Sequence, residues 1–188
     1  MIELQRIGVK ILTDAPATLR LDPFISIFGR WRTEADHPAQ WVDLADYAHM
    51  PRGPGVVLVG KRANFSFDMG DPAPGPLYVS KKDLAGAPEE RLESVVRASF
   101  AFAERLAAEA EFPAGVRLDT SALEIVVNDR LEAPNNGSTD AWLRPLVVAV
   151  ADRLFGRSAY DLERHADPGR RYGFSLRGPA QPAVRRSD

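Results

Sequence analysis

Between Gly55 and Gly60 lies Val56-Val57-Leu58-Val59, four apolar residues with a glycine on each side. Such a run has no polar side to offer water, so it reads as a strand covered on both faces and lying inside a sheet. Its surroundings are hairpin chemistry. Gly53, Pro54 and Gly55 make a turn in front of it, Gly60-Lys61-Arg62 make another behind it, and Asn64 to Asp68 then alternates. The chain is therefore committed to a sheet with antiparallel neighbours, and this run is its expected centre.

The flanking segments supply the remaining elements. Ile7, Val9 and Ile11 alternate with Arg6, Gly8 and Lys10, which predicts a half-buried strand. Trp41 to Tyr47 predicts another, with Val42 and Leu44 facing in, and Leu77-Tyr78-Val79, behind a proline-rich loop, predicts an edge strand. Asp22 is placed to cap a short helix that has Pro23 at its first position and an apolar face of Phe24, Ile27, Phe28 and Trp31. Pro88, Glu89 and Glu90 open the longest helix, whose buried stripe is Leu92, Val95, Val96, Ser99, Ala103 and Leu106 and which is expected to run to Phe112. Ser138 or Thr139 is expected to cap a third helix that ends at Gly156. Leu123 to Val127, Tyr160 to Arg164 and Tyr172 to Leu176 complete the strands.

This order predicts an α+β protein with a mixed or antiparallel sheet and three helices on one face, its first six elements compatible with an elaborated ferredoxin-like unit that carries an inserted hairpin. Residues 1–177 are expected to form one domain, and 178–188, rich in Gly, Pro, Ala, Gln and Arg, a flexible tail.

Charge and composition remove several classes of function. With 24 Lys+Arg against 26 Asp+Glu the net charge is -2, which gives no global field to hold a polyanion, so no nucleic acid partner is expected. The absence of cysteine excludes thiolate catalysis and cysteine-ligated metal. No apolar run approaches the roughly 20 residues of a membrane span, and charges interrupt the first twelve residues, so a cytoplasmic protein without a membrane partner is expected.

Two polar clusters stand beside apolar strands. Asp43, Asp46, Tyr47, His49 and Arg52 precede the valine run while Lys61, Arg62 and Asn64 follow it, and Asn128-Asp129-Arg130 closes the strand at Val127. His49 oriented by Asp46 is the candidate catalytic pair, a general base with its positioning carboxylate. Tyr47, Arg52, Lys61, Asn64, Asn128, Asp129 and Arg130 are the candidate ligand-binding residues. His37, His49 and His165 are widely separated and lack a ligand partner at helical spacing, so no metal is expected. Arg52-Gly53-Pro54-Gly55 lacks the spacing of a phosphate loop or a dinucleotide fingerprint, and no Gly-x-Ser-x-Gly is present, so no cofactor is expected.

The segments VDLADYAHMPRGPGVVLVG and NDRLEAPN resemble the two signature blocks of a family of uncharacterised bacterial proteins of similar size. The resemblance covers the chain from its first strand to about Phe174 and implies no activity, cofactor or catalytic residue. It marks the same two polar clusters.

With no nucleophile, metal set or cofactor fingerprint assembled, the expectation is a binding module that acts without chemistry on a protein partner or a second copy. The alternative is an enzyme or sensor for a small anionic metabolite, with Arg52, Lys61 and Arg130 holding charge and His49 with Asp46 moving a proton. That alternative requires His49 and the Asn128–Arg130 corner to share one cavity.

Overall fold

The structure is a computed structural model that describes residues 2–179 apart from 35, 36, 38, 39 and 51. Its elements in chain order are β1 (Ile7–Thr13), α1 (Asp22–Arg32), β2 (Trp41–Asp46), β3 (Val56–Gly60), β4 (Ala63–Asp68), β5 (Gly75–Ser80), α2 (Pro88–Ala107), β6 (Leu118–Val127), α3 (Gly137–Phe155), β7 (Asp161–Arg164) and β8 (Gly173–Arg177). Among these residues the strands form one eight-stranded sheet of order β2-β3-β4-β5-β1-β6-β8-β7, with every neighbouring pair antiparallel. The chain is of the α+β class. Except for 178 and 179, the expected tail lies outside the described residues.

Register assigns each side chain to a face. One row across the sheet reads Leu44, Leu58, Phe65, Tyr78, Val9, Ile125 and Phe174. All three helices pack on this side. Phe24, Ile27, Phe28 and Trp31 of α1 meet Val56, Leu58, Phe65 and Phe67, while Leu143, Val147 and Val150 of α3 share a core with Ile125 and Phe174. The long α2 belongs to both clusters, with Val95 and Val96 in one and Phe102 and Leu106 in the other, so it joins the two halves of the core. The opposite row, Ala45, Val57, Ser66, Leu77, Lys10, Glu124, Ser175 and Glu163, carries no helix.

The centre of the sheet differs from the one expected. The valine run is β3, the second strand from an edge, and β1 and β5 occupy the middle. The hairpins β2-β3-β4-β5 fold outward from β1, and the α2 crossover places β6 on its other side, so β1 is buried along all seven residues. Leu77-Tyr78-Val79 is likewise not an edge strand. Its proline, Pro76, lies next to the first residue of β5, where a missing donor is tolerated. In β2 the pairing register shifts between Trp41 and Asp43, which turns Val42 out to solvent while Trp41 and Leu44 pack inward. This bulge is the cause of the imperfect alternation there.

Helix ends also move. Asp22 lies inside α1 and pairs with Arg20 instead of capping, and α3 is capped by Asn136, whose Oδ1 accepts from the Thr139 N–H at 3.0 Å, not by Ser138 or Thr139. The long helix ends at Ala107, before Phe112. Glu109 then accepts from the Trp31 indole at 2.6 Å and from Arg30, tying the chain beyond α2 to α1.

Candidate functional site

The two polar clusters of the sequence fall at opposite ends of the sheet. Asp46 pairs with Val56, Val56 with Phe67 and Phe67 with Pro76, while the Thr13 N–H donates to Pro74 O, so the β2–β3 turn lies at the Thr13 end of β1. Asn128 lies at the other end, its N–H donating to Arg6 O. From β3 to β6 there are four inter-strand steps of about 4.8 Å each, close to 20 Å across the sheet before its length is added. His49 and the Asn128–Arg130 corner therefore share no cavity, which corrects the arrangement expected from sequence. Asp46 accepts from the Ala48 N–H at 2.8 Å in a turn, His49 and Arg52 are exposed, and Arg52 faces Asp71 at 3.9 Å.

Lys61 and Asn64 fall with the other cluster. The β3–β4 turn that carries Lys61 lies at the Asn128 end, and Lys61, Asn64 and Asn128 line one open depression on the bare side of the sheet together with Arg6. The Asn64 Oδ1 is buried there without a donor among the described residues. Asp129 uses one oxygen to accept from the Leu131 and Glu132 N–H groups and holds Arg6 at 3.5 Å with the other, so it shapes the chain after β6. Tyr47 is exposed at the opposite end.

A cavity of about 400 Å³ opens on the helix side between α2 and strands β4 and β5. Phe65 and Phe102, stacked at 4.5 Å, form its floor with Tyr78, and Ala98 and Ala101 of α2 form a wall with no bulk to fill it. Burial pushes the Tyr78 hydroxyl above its ordinary range. His37 stacks on Trp41 at 4.3 Å and lines the mouth, and burial, assisted by the Arg105 charge, holds its imidazole below the usual histidine range. Arg62, Lys82 and Arg105 bring positive charge to the rim and Asp83 negative charge. Arg105 pairs with Glu34 and lies over the Trp31 ring at 3.9 Å, while Arg62 and Lys82 have no ion-pair partner among the described residues. Sequence reasoning picked out Arg62 of its rim but missed the cavity itself, because its floor comes from three separate elements and each aromatic reads alone as ordinary core.

A second feature missed from sequence is a line of charges on the bare side. Lys10, only 4% exposed, donates to Asp68 Oδ2 at 2.7 Å, Gly70 O at 2.8 Å and Asp71 O at 3.1 Å. Its cross-strand neighbour Glu124, 5% exposed, meets His165 Nε2 at 2.6 Å. The available signal was a charged residue inside each apolar run, Lys10 in Ile7–Leu12 and Glu124 in Leu123–Val127. A buried charge in such a run needs a partner.

Among the described residues no three His, Cys, Asp or Glu side chains are gathered as a metal ion would require, and no helix is long and apolar enough to cross a membrane. Comparison with protein-family models, curated proteins and solved structures finds no match.

Proposed function

We propose that the protein is a binding module without chemistry of its own, and that its ligand is a small amphipathic anion, a flat apolar body bearing one carboxylate or sulfonate. The observation that carries this is the aromatic cavity whose mouth presents Arg62 and Lys82. A ring slid between the α2 alanines and the Phe65–Phe102 stack loses water from both faces, worth about 25 cal/mol per Å² of apolar surface. The acid group stays at the rim, where Arg62, Lys82 and Arg105 outnumber Asp83. A cavity of about 400 Å³ lies within the size range of ordinary small-molecule sites.

Calorimetry with 2-naphthalenesulfonate and the neutral 2-naphthalenesulfonamide separates body from charge. The sulfonate is expected to bind about tenfold more tightly, the order of one charge-assisted contact. Ala98→Trp, which fills the cavity, abolishes both, and Arg62→Glu with Lys82→Glu weakens only the sulfonate. Equal affinities would remove the anion from the reading, and no saturable binding of either compound would end it.

A second reading, docking of another protein, is favoured by the edge of the sheet. Of the four large hydrophobic residues exposed among the described residues, Val42, Tyr47 and Met50 lie on β2 and the turn after it. An outermost strand offers unpaired N–H and C=O groups to an added strand. Asp43 and Asp46 would face acids in close self-pairing, so a partner strand carrying Lys or Arg fits better than a second copy. The probe is a synthetic peptide alternating valine and lysine, expected to bind saturably and to be lost in Val42→Glu. A stable dimer of the protein alone in light scattering would assign the edge to a second copy, and a monomer that ignores the peptide would close the docking reading.

A further inference from the structure

The buried pair His165 and Glu124 does not stand alone on the bare side of the sheet. The chain after β7 continues the ladder, with the His165 N–H donating to Gly173 O at 3.0 Å, and the imidazole lies against Gly173. A Cβ at Gly173 would come within 3.0 Å of the ring and 2.5 Å of Ile125 O, so glycine is what allows the ring to lie there. Asn135 donates from Nδ2 to His165 O at 2.9 Å and Asp167 O at 2.8 Å, and Asp167 Oδ1 accepts from the Gly169 N–H at 2.8 Å. The loop from His165 to Arg171 is thus held at several points, and it returns Arg170 and Arg171 to the end of β6 where Arg130 stands.

These three arginines, with His165, Val126 and Gly169, line a half-open cavity of about 190 Å³. That is below the roughly 300 Å³ at which pockets for drug-sized ligands begin. It suits one compact polar group. None of the three guanidinium groups has a carboxylate within ion-pair distance among the described residues; of the nearby acids, Glu124 meets His165, Asp129 holds Arg6 and two backbone N–H groups, and Asp167 Oδ1 accepts from the Gly169 N–H. Arg171 is oriented by Asn128, whose Oδ1 accepts from its Nη1 at 3.2 Å. Three cations converging on a small cavity repel one another, and a tetrahedral oxyanion relieves that repulsion while matching the paired N–H groups of guanidinium.

We propose that this cavity binds a phosphate group through Arg130, Arg170 and Arg171, with His165 lining its wall and held in place by Glu124. The site is separate from the aromatic cavity, and its test does not depend on that reading. Calorimetry is run at constant ionic strength with inorganic phosphate and with phenyl phosphate as a monoester. Saturable binding of one equivalent is expected, with Arg130→Gln and Arg171→Gln each weakening it about tenfold, the loss of one charge-assisted contact. Both side chains are exposed, so these variants fold, and Ala98→Trp in the aromatic cavity leaves phosphate binding unchanged. Tighter binding of the ester identifies the group as part of a larger ligand, and equal binding identifies free phosphate. No saturable binding of either at millimolar concentration, or binding indifferent to both arginine changes, would overturn the proposal.

Discussion

Lys10 shows how much one side chain can decide. In the sequence it is the polar half of an alternating strand and should face water, yet all three of its protons are placed on Asp68, Gly70 and Asp71. These contacts bring the chain after β4 over Lys10 on the bare side of the sheet, while side chains of the neighbouring strands, Leu77, Val79 and Val126, crowd Gly8, so a strand with a half-buried pattern is buried along its whole length. Lys10→Met leaves the Asp68 carboxylate with only the Gly70 N–H at 3.1 Å and leaves two carbonyls without this donor, and the expected cost is about 3 kcal/mol. Urea unfolding measures it, and adding Asp68→Asn is expected to recover part of the loss because the stranded charge is removed. A midpoint unmoved by Lys10→Met would show that the pair contributes nothing. The His165–Glu124 pair follows the same logic one strand over. Each residue was visible in the sequence, but its partner lay 58 positions away in one case and 41 in the other.

Among the elements, helices were more legible than strand neighbours because their signals are local. Pro88 with two acidic residues marks the start of α2, and the stripe from Leu92 to Leu106 is buried as its spacing requires. Caps were less legible, since several candidates competed within a few residues. Before α3 the chain offers Asn135, Asn136, Ser138 and Thr139, and only backbone geometry selects Asn136, which is extended at φ -139° and ψ 177°. Asn136→Ala is expected to cost about 1 kcal/mol in thermal or urea unfolding, whereas Ser138→Ala, exposed and outside the cap, is expected to change stability by less than about 0.5 kcal/mol. The reverse ranking would reassign the cap. The same helix is tied to β8 by Tyr172, whose hydroxyl donates to Asp140 at 2.9 Å. Burial, then the hydrogen bond to Asp140 and its charge, raise that hydroxyl far above its ordinary range, so it remains a donor.

At the scale of the whole molecule the sheet has one side clothed by helices and one side bare, and the two proposed ligand sites lie on opposite sides. The aromatic cavity belongs to the clothed side and the phosphate cavity to the bare one, so each can be tested without disturbing the other. Lys61, Asn64, Asn128 and Arg130 were legible as candidates and are gathered at one end of the sheet. Asp46, Tyr47, His49 and Arg52, equally polar and equally placed beside a strand, are at the other end. Periodicity, turn residues and composition by themselves determined that this chain builds an α+β fold with three helices and a sheet rich in antiparallel hairpins, because those preferences act over a few residues; that every neighbouring pair is antiparallel came from the strand pairing. Which strand lies at the centre, which end each loop occupies, and which histidine meets a carboxylate were decided only by tertiary structure. They depend on strand order, and strand order is set by how the α2 crossover and the outward run of hairpins bury the most apolar surface together, a sum over the whole chain that no local pattern contains.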